Sequence, residues 1–307
     1  NRISSRLVAR GGTVGYVASM KPATPILALA ILAGNARAAP VRDGPVQADL
    51  ISEVAAVAPG KPFTVAFRMT LDESWHAYWT NPGDSGLAPS LDWTLPEGFS
   101  AGDLQHPPPT AIPTPPFMTY GHEGEVLFLV TLTPPPVLEA DSVTLRAEAE
   151  WLVCRDFCLP GSAQLDLTLP AGPAPAPPHP VHADVIRQAR ENLPRAPADW
   201  RIHAEASANR YRLLAQPLGD APETVSSAAF FPDSPEVILP AAPQVFQSAG
   251  NGFTLEMEPA AGGDSFPARL SGVLILQGPA GRQALRVTAP FSKSAPSDIT
   301  RTERNAP

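Results

Sequence analysis

The sequence predicts an all-β protein built from two tandem antiparallel β-sandwiches joined by a Pro/Ala-rich linker. Three observations predict it. Short bursts of alternating apolar and polar residues recur along the chain, with turn-forming clusters between them. The 39 prolines, set against only 7% aromatic residues, suit a chain of many turns and proline-protected edges better than a helical bundle. With 307 residues and 44% hydrophobic content, the chain has apolar material for two cores.

Residues 1–39 read as upstream sequence and a secretory signal peptide. Met20-Lys21 precedes the apolar run Ile26 to Gly34, and Ala36 and Ala38 form an A-x-A pattern that predicts cleavage near Ala38/Ala39. The run is far short of the ~20 apolar residues that span a bilayer. No later stretch is apolar enough either, so the exported protein is expected to be soluble and not membrane-spanning.

Residues 40–170 form the first expected sandwich. "FTVAFRMTL" (Phe63 to Leu71), "EVLFLVTLTP" (Glu125 to Pro134), "VTLRAEAEWLV" (Val143 to Val153) and "AQLDLTLP" (Ala163 to Pro170) read as strands at period two or as buried runs. "TNPGDSG", "LPEGF" and "PPPVLEADS" are the turns between strands. Residues 171–180, within "PAGPAPAPPHP", form a stiff, extended spacer. The second sandwich, 181–292, opens with a helical segment, Val181 to Pro194, stopped by its terminal proline. Short strand-like runs follow, with no cysteine and no cluster of ionisable groups, so no chemistry is assigned there. The polar tail, 293–307, reads as disordered. A net charge of −8 and the lack of a Lys/Arg cluster beyond the first residues exclude a nucleic-acid footprint.

The only two cysteines, Cys154 and Cys158, lie in "EWLVCRDFCLP". On a continuous strand their α-carbons would be about 13 Å apart, too far for a disulfide. A hairpin with Arg155-Asp156-Phe157 as its loop would bring them to roughly 4.5–5.5 Å. A ring this short is a weak staple, contributing about 2 kcal/mol in chain-entropy terms. Three roles stand open on the residues alone: a redox dithiol, a structural disulfide, or a metal site. C-x3-C falls within zinc spacing, His76, His106 and His122 share the domain, and Met118 would suit Cu(I), yet no two histidines stand at ligand spacing. In "SWHAYWTNPGDSGLAPSLDW", Trp75 and Tyr78 or Trp79 read as core residues ahead of a turn. "HPPPTAIPTPPFMTYGHEGEV" is too long for a simple connection, which fits a lid or binding loop.

The order W-H-x-Y-W-x-N-P-G-D-S-G, then Y-G-H-E-G-E, then W-L-V-C-x3-C-L-P resembles the amino-terminal periplasmic domain of the DsbD/ScsB thiol:disulfide interchange proteins, ScsB-like above all. The resemblance spans about residues 45–170 and is looser over 180–292, where ScsB-type proteins carry a second immunoglobulin-like domain. It implies two immunoglobulin-like sandwiches without the membrane and thioredoxin-like domains of full-length members. It implies a periplasmic protein-disulfide reductase or interchange component with no cofactor, in a branch linked to copper tolerance. The Cys154–Cys158 pair would take electrons from the thioredoxin-like domain of a membrane thiol reductase and pass them to a periplasmic thioredoxin-fold client. Cys158 matches the position that forms mixed disulfides, and Cys154 the resolving one. The family's cap loop aligns with Thr119-Tyr120-Gly121, so Thr119 replaces its shielding Phe. Phe117, Met118, Tyr120 and His122 are then the expected cap residues, folded over the cysteine hairpin. The rival expectation is a non-enzymatic copper- or zinc-binding or assembly protein on the same sandwich.

Overall fold

The computed structural model describes residues 39–172, 174–207, 209–219, 224–260, 267–279 and 281–293. The expected targeting segment and the polar tail lie outside these, apart from Ala39 and Lys293. The described chain is all-β with one helix, as expected. Its first sandwich contains β1 (Val41–Asp43), β2 (Val46–Ser52), β3 (Phe63–Leu71), β4 (His76–Gly83), β5 (Ser90–Thr94) and β6 (Ser100–Ala101). The same sandwich continues with β7 (Thr110–Thr114), β8 (Phe117–Glu123), β9 (Glu125–Thr133), β10 (Ser142–Cys154) and β11 (Cys158–Pro170). One sheet runs β1-β2-β3-β9-β6; the other runs β11-β10-β4-β8-β7, with β5 also paired to β10.

Strand alternation sets the core. Val143, Leu145, Ala147, Ala149, Trp151 and Val153 of β10 point inward, while their neighbours face out. They meet β3 and β9 of the facing sheet, where Phe67 stacks on Phe128 at 5.7 Å and on Trp151 at 6.4 Å. The apolar runs of β3 and β9 do not alternate cleanly, because their outer face is covered too. The helix α1 (Ala183–Glu191) buries Ile186 against Ile51, Ala66 and Leu129 there, and Arg190 pairs with Glu53 and with the Thr64 hydroxyl. The helix that opens the second sequence region therefore packs on the first sandwich. It is shorter than the Val181 to Pro194 reading, ending at Glu191 with Asn192 as its cap, two residues ahead of Pro194.

The spacer before it is extended but not free. Its backbone runs beside residues 53–57, with Ala55 N donating to Pro177 O, His179 N to Glu53 O and Gly172 N to Val57 O.

The second sandwich comprises β12 (Trp200–Ser207), β13 (Arg210–Pro217), β14 (Ser227–Pro232), β15 (Val245–Ala249), β16 (Gly252–Met257), β17 (Arg269–Gly278) and β18 (Gly281–Lys293). They follow one path, β14-β17-β18-β12-β13-β16-β15. β18 joins its two halves: Gly281 to Pro290 pair with β17, and Phe291 to Lys293 run parallel to β12. The core lies between the halves, with Leu213 and Leu255 on one side and Phe230, Leu274 and Leu285 on the other.

Candidate functional site

β10 and β11 form one long antiparallel hairpin that is paired residue for residue, ending at Cys154 opposite Cys158. The loop is Arg155-Asp156-Phe157, as the spacing requires, and Arg155 N donates to Phe157 O across it. The two α-carbons stand 4.1 Å apart and the sulfurs are joined as a disulfide. Trp75 pins the tip of the hairpin. Phe157 meets its ring edge-on at 5.5 Å, and the Arg155 guanidinium lies 5.3 Å above it. Arg155 also pairs with Asp156 at 2.9 Å, so the neighbouring cation is already held by its own carboxylate.

The two sulfurs differ in access. Cys154 is buried at the end of β10, whereas Cys158 is exposed at the start of β11. β4 supplies what surrounds Cys154. His76 sits directly opposite it, and Ala77 opposite Val153. Cross-strand partners share a face, so His76 and Tyr78 project on the same side as the sulfurs, while Ala77 enters the core. The Tyr78 hydroxyl donates to Cys154 Sγ at 2.7 Å and lies 3.7 Å from Cys158 Sγ. Burial raises the Tyr78 pKa, which keeps the phenol a hydrogen-bond donor. His76 packs edge-on against Tyr78 at 5.4 Å, and burial lowers its pKa although Glu123 opposes the shift.

The turn Asn81-Pro82-Gly83-Asp84-Ser85-Gly86 explains why Tyr78 stands there. Gly86 has φ +136°, and a Cβ at this position would lie 2.2 Å from the Tyr78 ring. The turn thus folds back onto the ring, and only glycine fits.

β8 pairs with β4 on the side away from the cysteines, with His122 opposite Ala77 and Gly121 opposite Tyr78. Alternation then separates the expected cap residues. His122, Tyr120 and Met118 share the inward face of β8, and Thr119 and Phe117 share the sulfur face. This corrects the expected cap. The His122 ring meets Phe128 in the core at 5.9 Å, and the Tyr120 ring packs on Phe231 of the second sandwich at 4.9 Å. Met118 joins that same apolar cluster. Phe117 keeps the right face but is 55% exposed, at the tip of the β7–β8 hairpin. The proline-rich stretch before it leans on the second sandwich, where Arg282 donates to Pro109 O at 2.8 Å.

Tyr78, which the sequence reading left in the core, is the side chain on the sulfurs. The W-H-x-Y spacing already puts His76 and Tyr78 on one face of a strand; that β4 neighbours the cysteine strand is not visible in it. Of the other potential ligands, the half-buried His106 and the buried His122 flank Phe128, and desolvation lowers the pKa of both. Among the described residues no three His, Cys, Asp or Glu side chains gather as a metal site.

The site is thus a β-sandwich domain that closes a five-residue disulfide ring beside a buried tyrosine hydroxyl, with one of its two cysteines exposed. Residues 45–170 match the family described as thiol:disulfide interchange protein DsbD, N-terminal, so this part of the chain is similar to that domain. In fold, the chain is similar to the N-terminal periplasmic domain of ScsB from Proteus mirabilis. The two are 17% identical with a TM-score of 0.58, covering 81% of this chain and 95% of that one. A protein of unknown function from Porphyromonas gingivalis W83 aligns at 12% identity over 80% of this chain and all of that one, with a TM-score of only 0.24. No curated protein matches the chain in sequence.

Proposed function

We propose that the Cys154–Cys158 disulfide is an exchanging redox pair, and that the first sandwich relays electrons in the periplasm from the thioredoxin-like domain of a membrane thiol reductase to a thioredoxin-fold client. The observation that carries this is the unequal placement of the sulfurs. Cys158 faces solvent, and Cys154 lies buried under a donating hydroxyl.

A donor thiolate attacks Cys158 Sγ, and a new S–S bond joins the two proteins. The Cys154–Cys158 bond breaks, and its electron pair stays on Cys154 as a thiolate. Tyr78 O–H is in place to stabilise that leaving group, since a better-stabilised leaving thiolate departs faster. The donor's second thiolate then attacks the mixed disulfide, leaving the donor oxidised and both cysteines reduced. Toward a client the steps run in reverse: the Cys158 thiolate attacks the client disulfide, and Cys154 resolves the intermediate. Two electrons move in each exchange, and no cofactor is needed.

Trapping tests the assignment. Cys154→Ser should accumulate covalent adducts through Cys158 on non-reducing gels, with both a thioredoxin-like donor and a client. Cys158→Ser should accumulate few. Equal trapping by the two variants would remove the division of labour, and trapping by neither would remove the exchange reading.

A further inference from the structure

Both strands that flank the redox site from one side, β4 and β8, are gripped at their far ends by the second sandwich. Beyond Tyr78, β4 departs from regular pairing with β8 until Gly83 meets Thr119. In that interval Trp79 packs edge-on against Phe231 at 6.4 Å, and the Tyr120 ring meets the same phenylalanine. Val273, Ile275 and Ala284 complete the cluster, and Trp79 and Tyr120 are only 2% and 1% exposed.

Asn81 is the polar half of this grip. Its Nδ2 donates to Pro232 O at 2.8 Å and to Ser234 O at 3.1 Å, while its Oδ1 accepts from Gly83 N at 3.1 Å. One side chain therefore ties the edge of the second sandwich to the turn that shapes the redox site. Onward from Gly83 the contacts are continuous. Asp84 N donates to Met118 O at 3.1 Å, and Met118 N donates to Asp84 Oδ2 at 2.7 Å. Gly83 itself has φ +86°, and a Cβ there would lie 2.3 Å from Met118 O, so the turn and β8 are pressed together. Three residues later Gly86 abuts the Tyr78 ring, whose hydroxyl rests on Cys154.

We propose that the second sandwich is a positioning element for the disulfide: Phe231 and the carbonyls of Pro232 and Ser234 hold Trp79, Asn81 and Tyr120, and thereby fix Tyr78 on the Cys154 sulfur. The second domain, which has no chemistry of its own in the sequence, then acts on the reaction through packing. A buried amide that satisfies its donors only on another domain's backbone fixes a geometry, because leaving it unpaired costs more than the bonds themselves contribute. This rests on the reading that Cys158 is attacked and Cys154 leaves.

The experiment uses the full chain with Phe231→Ala, Asn81→Ala, Tyr78→Phe and Leu255→Ala. Leu255 lies in the core of the second sandwich and outside the junction cluster, so it controls for loss of stability alone. Two quantities are read below each variant's unfolding transition. One is the rate at which dithiothreitol reduces the disulfide, two thiols of the reagent becoming a disulfide as the two cysteines become thiols. The other is the alkylation rate of reduced Cys154 relative to Cys158. Phe231→Ala and Asn81→Ala should each slow reduction about fivefold, the equivalent of one hydrogen bond of ~1 kcal/mol, as should Tyr78→Phe. The two junction variants should also raise the relative alkylation of Cys154 by a similar factor. Phe231→Leu, which refills the junction, should recover most of both effects, and Leu255→Ala should change neither. Wild-type rates in Phe231→Ala and Asn81→Ala, with slow reduction in Tyr78→Phe, would overturn the positioning role and leave the exchange reading intact. Wild-type reduction in Tyr78→Phe would overturn it as well, and the trapping experiment judges the exchange reading independently.

Discussion

The two sandwiches differ most in what they bury. Every polar or charged side chain counted as buried among the described residues belongs to the first: Asp49, Ser52, Thr64, His76, Asn81, Thr119 and His122. The second closes its core over Leu213, Phe230, Leu255, Leu274 and Leu285. Polar groups are costly to bury unless they are paired. Some of the seven are satisfied structurally, as Asp49 is by Arg68 through two hydrogen bonds at 2.9 and 2.6 Å. Others stand around the disulfide or at the junction. The difference teaches that one sandwich carries a site at some cost to its own stability, while its apolar neighbour supplies a stiff surface for that site to lean on.

Acid should expose this contrast most strongly. His122 is buried and His106 half-buried, with pKa values lowered to about 3 and about 4 by desolvation. They lie near each other and against Phe128, with Arg282 from the second sandwich adding to the effect on His122. Their folded pKa values lie below the unfolded value of ~6.5, so the unfolded chain binds more protons as pH falls through this window. Stability should therefore be fully present above pH ~6.5 and decline progressively toward pH ~3, by several kcal/mol in order of magnitude. Thermal unfolding across this range measures it, and His122→Leu should flatten the lower part of the curve. A curve left unchanged by that variant would move the acid sensitivity out of the first sandwich.

Next in size is Gly86→Ala. It forces a Cβ into the Tyr78 ring from a backbone conformation that other residues rarely adopt, so a loss of about 1–3 kcal/mol is expected. Reduction by dithiothreitol should slow in parallel, because the ring must move off Cys154. Lost stability with an unchanged reduction rate would mean that Tyr78 does not depend on this turn.

Opening the disulfide itself should matter less, costing about 2 kcal/mol for a five-residue ring. Both sandwiches close their cores without it, so circular dichroism should retain the β signal after mild reduction while thiol labelling shows two free cysteines. Loss of the β signal would make the bridge a staple of the first sandwich.

The smallest effect should come from Tyr78→Phe on stability, about 1 kcal/mol or less, because its hydroxyl meets a sulfur rather than a buried charge. The same variant should slow reduction about fivefold. A slowed reduction in a variant that stays folded separates the site from the scaffold around it.

Much of this was legible in the residues. Period-two alternation in β10 and β11, proline density and turn composition specify a sandwich, because strand faces and turn dihedrals are local properties. The three-residue spacing of the cysteines requires a hairpin for the same reason, since the reach of an extended strand is local geometry. The expected cap over Met118, Tyr120 and His122 failed on a relation that is not local. Alternation assigns these residues to a common face, but only the pairing of β8 with β4, and of β4 with β10, decides which face looks at the sulfurs. Likewise no spacing reveals that Phe231 and the carbonyl of Pro232 will meet Trp79 and Asn81 from more than a hundred residues away. By itself, then, the sequence determined the elements, the hairpin and the pairing of its only two cysteines. The tertiary structure alone decided that Tyr78 sits on the buried Cys154 sulfur and that the second sandwich reaches the turn holding it, because contacts between distant segments are set by how whole sheets pack, not by any pattern along one strand.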